Sequence, residues 1–398
     1  MSIFGPSLGE LTLEDVEQYL SRADTEPLLW EAKGTGDRGE STRPDAKTVR
    51  EQVCGFANSH EGGYLILGAS RRDGRWVCDG VAFPDKEPET WVVNVIADPT
   101  YGIKPRPDVD FSRAFATTEG RTLLVVKIAP ATTPPCICNG TVFERLPGQT
   151  PRVSDPQRLA ELFARGDAAR REARARADRA AVTLLDTWVR DGARLLFDRT
   201  DGEDLAVLGD EAGPDDCVRI VLAVAATGYR PDIASRLFQD SLVQDLWNEL
   251  RELGREPGLP IDPELRPVDI TQDAATWWSR QQHPRPRIAV VRATWDGAVA
   301  VGRVTAPGSR YPTHLIERLE SEWAIADRVA RTSLGGSGSM YLTVIAQGRR
   351  LMGPSVPEAP VVMRRGPLDP GVHRSVLDGL GRELSRAVGN PELEPPPG

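Results

Sequence analysis

The chain has 398 residues, with 49 Lys plus Arg against 58 Asp plus Glu and a formal net charge of −9, which excludes a strongly basic coat protein. Apolar residues make up 40% and charged residues 27%, an ordinary soluble balance, and no run approaches the roughly 18 apolar residues of a membrane span. At roughly 100–200 residues per domain the length suggests two or three domains, each able to bury a core without staples.

The first residues lack the basic patch and apolar stretch of a signal peptide, so the expectation is a cytoplasmic protein. Five cysteines, scattered except for Cys136 and Cys138, do not make a disulfide framework and read as reduced thiols.

Leu11-Thr12-Leu13-Glu14-Asp15-Val16 is a helix start, with Thr12 as N-cap, Asp15 three residues on, and Leu11 placed to staple Val16. Leu28 to Lys33 reads as a strand, and Gly34 to Thr42 as a Gly-rich loop. From Ala46 to Ser59 the positions Val49, Val53, Phe56 and Ala57 repeat at helical spacing, and Gly62-Gly63 ends that helix. Tyr64 to Ala69 is a short, continuously apolar run of the kind buried on both sheet faces. Asp73-Gly74 turns a hairpin into Trp76-Val77. Trp91, Val92, Val95 and Ile96 suggest a short helix, Leu123 to Ile128 a second core strand, and Thr141 to Arg145 a last strand.

Residues 1–155 therefore predict an α+β domain of mixed sheet and flanking helices. Asp155-Pro156 pairs an N-cap with proline at the first helical position. The connector that follows, residues 156–182, is rich in Ala and Arg, and reads as a solvated helix ahead of a nucleic-acid contact.

Residues 183–389 have a pattern of their own, α/β or α+β. It includes a helix over Ile233 to Leu250, a hairpin of Ile288–Val291 with Ala298–Val301 about Trp295-Asp296-Gly297, and a helix through Leu315, Ile316, Leu319 and Trp323. A strand over Met340–Ile345 and a helix from Asp369-Pro370 to Leu384 follow. Residues 390–398, with three successive prolines, read as a disordered tail.

Gly34-Thr35-Gly36-Asp37-Arg38-Gly39 fits a dinucleotide fingerprint in letters only, because the next helix starts near Ala46 rather than at the third glycine. No Walker motif occurs, so ATP has no motif support here. Cys136-Ile137-Cys138 has the wrong spacing for a zinc knuckle. Glu26 and Glu31, five apart at a strand entrance, could hold a divalent cation, Mg or Mn, with Lys33 neutralising charge on a phosphodiester.

Three ordered blocks resemble the Schlafen-type AlbA-like domain family, over about Thr25 to Phe163. The first is Glu26 through Glu31-Ala32-Lys33, the second Gly55-Phe56-Ala57-Asn58-Ser59-His60-Glu61-Gly62-Gly63-Tyr64-Leu65-Ile66-Leu67-Gly68, and the third Pro135 with Gly140 to Thr150. The resemblance implies an α+β sheet whose groove binds RNA or DNA, under a family label that also includes ATP binding. In some animal members two glutamates and an aspartate form a metal-dependent RNA-cleaving centre.

Carried over, Glu26 and Glu31 match the first two acids, while the third position holds Ser70 and Arg71, with Asp73 the nearest substitute. Arg71, Arg72, Arg75, Lys33 and Arg145 are the candidate nucleic-acid contacts. Asn58, Gly62, Gly63 and Gly68 form the structural motif, Asn58 as a cap on the end of its helix.

The leading expectation is a regulatory or defence-related nucleic-acid-binding protein. The alternatives are a metal-dependent endoribonuclease acting on tRNA or rRNA, and a nucleotide-sensing or protein-interaction module. A homodimer is compatible with the single lobe.

Overall fold

The computed structural model describes residues 3–23, 28–34, 44–83, 86–117, 120–189, 217–229, 248, 266–270, 274–281, 287–305, 315–347, 360–368 and 373–387. The chain divides into two compact units, Met1–Ala168 and Ala169–Gly398. The predicted Ile233–Leu250 helix (but for residue 248), the 35–42 stretch of the glycine-rich loop and the C-terminal tail lie outside the described residues.

In the first unit, α1 (Leu13–Ser21) starts as its sequence dictates. Thr12 accepts from the Asp15 amide and the Asp15 carboxylate accepts from the Thr12 amide, a complete capping box. The strands β1 (Trp30–Lys33) and β2 (Gly63–Leu67) pair in parallel through α2 (Ala46–Asn58), placing Glu31 beside Leu65 and Lys33 beside Leu67.

Next come β3 (Ser70–Arg72), β4 (Arg75–Val77), α3 (Pro88–Ile96), β5 (Ile103–Lys104), β6 (Val109–Phe111), β7 (Phe115–Ala116), β8 (Thr122–Ile128) and β9 (Ile137–Cys138). The main sheet runs β1-β2-β8-β6, with β7 also on β8. It is mixed, since β2 and β8 are antiparallel.

Strand alternation gives this sheet two apolar faces. Leu65, Leu67, Leu124 and Val126 pack with Val49, Val53 and Phe56 of α2. Trp30, Ala32, Tyr64, Ile66 and Val125 pack with Leu11, Val16 and Leu20 around α1. Because Trp30 and Ala32 take the α1 face, Glu31 between them is directed to the α2 face.

Thr141 to Arg145 does not form the expected strand. It makes isolated bridges, Cys138 with Thr141 and Phe143 with Arg152, and folds back as a loose hairpin closed between Leu146 and Gln149. Pro147 and Pro151 carry no amide hydrogen, so a continuous ladder is unavailable to this segment.

The helix α4 (Pro156–Leu184) begins at the expected Asp155-Pro156, where Asp155 accepts from the Gln157 amide at 3.0 Å. It runs from the first unit into the second. A π-helical turn, Leu185–Val189, follows it.

The second unit is a seven-stranded sheet. Its strands are β10 (Val218–Gly228), β11 (Arg266–Ile270), β12 (Ala274–Gln281), β13 (Arg287–Thr294), β14 (Ala298–Thr305), β15 (Ser337–Gln347) and β16 (Val361–Leu368), in the order β11-β12-β13-β14-β10-β15-β16. Every neighbouring pair is antiparallel. Of the two readings of this half, α/β and α+β, the strand pairing gives α+β, because a doubly wound fold needs parallel strands joined by crossover helices.

One face packs Ile220, Leu222 and Val224 against α5 (Leu315–Arg328) and α6 (His373–Ala387). The other sets Ala223, Ala225, Ala298 and Ala300 against Ala177, Ala181 and Leu184 of α4, small side chains that let helix and sheet approach closely. Among the described residues no helix is long and apolar enough to cross a membrane.

Candidate functional site

The two glycines after α2 and the Ser59 hydroxyl that precedes them do the work of ending that helix. Ser59 Oγ donates to the Phe56 carbonyl at 2.7 Å and accepts from the Gly62 amide at 3.0 Å. Gly62 has φ 71, and a Cβ there would stand 2.2 Å from the Ile128 carbonyl oxygen, so only glycine suits the reversal. Gly63 lies against the Phe56 ring, and Gly68, with φ 103, against Gly80 and Thr122.

Asn58 has a different task from capping its own helix. Fully buried, it donates to the carbonyls of Cys136 at 2.9 Å and Phe143 at 2.8 Å, and accepts from the Cys136 amide at 2.7 Å. Its amide satisfies three backbone groups of a segment about 80 residues away, of which the Cys136 carbonyl also accepts from the Cys54 thiol at 3.3 Å. The loose hairpin after Thr141 is thereby fastened to α2.

Glu31 is only 4% exposed. A carboxylate in such a place must be paired. Its Oε1 meets Lys33 Nζ, and its Oε2 meets Arg145 Nη1. Arg145, 2% exposed, also donates to the Trp30 carbonyl at 2.8 Å and lies over the Phe56 ring with its guanidinium carbon 5.2 Å from the centroid. Thr150 contacts the same guanidinium and donates to Gln52 Oε1 at 2.6 Å. Gly55 makes room for this arrangement, since a Cβ there would meet Thr150 Cγ2 at 2.2 Å. Arg145 thus sits inside the domain as an internal counter-ion.

Lys33 closes β1, with its side chain 32% exposed. Its carbonyl accepts from the Gly68 amide at 2.8 Å, and the adjacent Gly34 lies against Ala69 and Ser70. The Lys33 backbone therefore stands at the foot of the hairpin formed by β3 and β4, while its ammonium pairs with Glu31.

That hairpin presents its charges to solvent. Asp73, exposed with φ 48, forms the turn with Gly74. Arg72 and Arg75 are both exposed and directly opposite each other across the two strands. Asp79 pairs with Arg72 and also accepts from Ser70 at 3.5 Å, whereas Arg75 has no side-chain partner among the described residues. Like charges facing across a strand pair oppose folding. On the other face of the ribbon, Arg71 extends over Trp76, 6.0 Å from the ring centroid, and donates to the Gly74 carbonyl at 3.3 Å. Trp76 anchors the ribbon through its indole N–H to the Ala23 carbonyl at 3.0 Å and by packing on Trp30.

Glu26 lies outside the described residues. Asp73 belongs to the exposed turn, and Glu31 to the buried α2 face. Both Glu31 oxygens are engaged by cations, and among the described residues no three His, Cys, Asp or Glu side chains come together as a metal site. Sequence reasoning missed Asp79 and Gln52, and held Thr150 only as the end of the third motif block; the three complete these ion-pair and hydrogen-bond networks. Nothing local marks them, because each meets its partner only after the chain has folded back.

The arginines of α4 are largely consumed by packing. Arg158 pairs with Glu144 and Glu161, Arg165 donates to the Asn58 carbonyl at 2.7 Å, and Arg179 meets Glu172 and Asp296. Arg176, buried, donates to the carbonyls of Ala226 and Asp296, and burial lowers its pKa from the usual guanidinium value. At the start of β1, away from Lys33, a groove of 630 Å³ opens between Leu29, His60, Leu146, Pro151 and Arg152.

Residues 28–154 match the family model described as Schlafen, AlbA_2. Among solved structures the chain is similar to the crystal structure of the DIP2311 protein from Corynebacterium diphtheriae, at 22% identity over 35% of this chain and 29% of that one, with a TM-score of 0.25. The likeness thus spans under a third of that protein. No curated protein matches the chain.

Proposed function

From the match of residues 28–154 to the Schlafen, AlbA_2 family model, which supports a nucleic-acid-related domain, we propose that this protein binds RNA or DNA and serves a regulatory or defence role. The observation that carries the reading is the Arg72 and Arg75 pair, exposed and opposed on one short ribbon. Asp79 offsets the charge of Arg72, so Arg75 carries the unrelieved charge of the ribbon, and a polyanion would meet that charge directly. Arg71, on the other face of the ribbon, adds a further exposed cation. With a net charge of −9 the protein has no excess of cations with which to neutralise many phosphates, so a modest, local contact suits it better than coating of a duplex.

The experiment is fluorescence anisotropy with labelled transfer RNA, single-stranded RNA and duplex DNA across a salt series. Binding that weakens with salt, and loses about one unit of salt slope per arginine in Arg72→Ala and Arg75→Ala, supports the reading. Absence of salt-sensitive binding to all three ligands overturns it. Binding is preferred to cleavage by Glu26, Glu31 and Asp73 because Glu31 is already neutralised by two cations.

A further inference from the structure

The resemblance raises a metal-dependent site, and Glu31 is the residue on which that site would depend. Its geometry argues for another use. The carboxylate lies on the buried face of β1, Oε2 on a guanidinium that is wholly enclosed and Oε1 on the ammonium of Lys33. Arg145 is fixed in turn by the Trp30 carbonyl, the Phe56 ring and Thr150. To reach a cation, Glu31 would have to abandon a buried guanidinium, which would then lack its counter-charge in a dry setting.

We infer that Glu31 is a positioning residue, the shared counter-ion of Arg145 that also holds the Lys33 ammonium, and that phosphate recognition by Lys33 is independent of divalent cations. The positive charge offered to a phosphodiester is then supplied by Lys33 and the ribbon arginines. A carboxylate with a cation on each oxygen is close to saturated, so a third positive partner gains little from it. Lys33, one-third exposed, keeps donors for an incoming phosphate oxygen while Glu31 restrains its long side chain, lowering the ordering cost on binding.

The ligand in this inference rests on the nucleic-acid reading; the role of Glu31 does not. The test has two arms on the full chain. In the first, anisotropy with labelled single-stranded RNA and duplex DNA is run in EDTA, Mg²⁺ and Mn²⁺ at matched ionic strength. Affinities within about twofold of one another are expected, with Lys33→Gln weakening binding and reducing the salt slope by about one.

In the second arm, Mn²⁺ is titrated into the free protein and followed by water-proton relaxation, beside thermal melts of wild type, Glu31→Gln and Glu31→Asp. A relaxation signal that Glu31→Gln leaves unchanged, together with a lower melting temperature for Glu31→Gln than for Glu31→Asp, supports the positioning role. Should Glu31→Gln fail to fold, Glu31→Asp and the wild-type titration decide the matter.

Binding or cleavage that requires Mg²⁺ or Mn²⁺, or a Mn²⁺ signal abolished by Glu31→Gln without loss of melting temperature, overturns the inference. Failure to bind nucleic acid in every buffer overturns the functional reading instead, and the second arm still reports on Glu31.

Discussion

Arg145 stands 114 residues beyond Glu31 in the chain, yet its Nη1 meets the Glu31 Oε2 in the interior of the first unit. The pair joins the edge strand β1 to the hairpin that follows Thr141, and Arg145 covers the outward carbonyl of Trp30 at the same time. Among the described residues β1 pairs with β2 alone. The guanidinium thus occupies a strand edge that would otherwise offer itself to another chain.

Removing one partner should cost far more than removing both. Arg145→Ala leaves a buried carboxylate and is expected to destabilise the first unit by about 3–5 kcal/mol, whereas Glu31→Leu combined with Arg145→Met should recover most of that loss. Urea unfolding of the two single variants and the double variant measures this. Equal losses in Arg145→Ala and in the double variant would show that the pair is not the source of the effect.

Asn58 should tolerate no substitution. Asn58→Ala strands the Cys136 amide and the Phe143 carbonyl and leaves the Cys136 carbonyl only the Cys54 thiol, and a loss of about 3 kcal/mol is expected from buried groups left unpaired. Asn58→Asp should fare no better, because it replaces two N–H donors with a carboxylate at a fully buried position facing two carbonyl oxygens. Thermal melts followed by circular dichroism would show it.

Arg75→Ala should separate stability from binding. Loss of the charge opposite Arg72 is expected to leave stability unchanged or raise it by a few tenths of a kcal/mol, of the order seen for cross-strand pairs. The same variant should weaken binding to labelled RNA or DNA most at low salt, where unscreened charge contributes most. A variant that lost stability and affinity together would place Arg75 in the framework of the hairpin.

The thiols should be inert in the native state. Burial pushes Cys54 up from an ordinary 9.0 to about 12, and raises Cys136 further. Since the unfolded thiol loses its proton near pH 9.0 and folded Cys54 near 12, their contribution to stability is complete below pH 9.0 and declines as the pH rises through that window. Urea midpoints measured from pH 8 upward, beside the rate of reaction with a thiol-specific disulfide reagent, test both parts. Rapid native labelling of Cys54 or Cys136 would contradict the expected protection.

The sequence was most informative where its signals are local. The Thr12 capping box, the glycine stop at Gly62-Gly63, the Asp73-Gly74 turn and the Asp155-Pro156 helix start all emerge at the expected places. Each is decided within a few residues by caps, periodicity and permitted φ values. The α+β class of the first unit follows from those elements, and the three motif blocks pointed to the domain that the family match delimits at residues 28–154.

What lay beyond the sequence depends on partners distant along the chain. Thr141–Arg145 has strand-forming residues, but its neighbours in space and two nearby prolines leave it a stitched hairpin. Asn58 reads as a helix cap until the Cys136 and Phe143 segment is folded onto it. Glu31 and Lys33 are fixed by the order of residues in β1, but whether that carboxylate serves an external ligand or an internal cation is decided by Arg145, brought to it by a fold that closes 114 residues of chain. The electrostatic state of a buried group is set by everything around it in a low-dielectric interior, and only the tertiary structure brings those groups together.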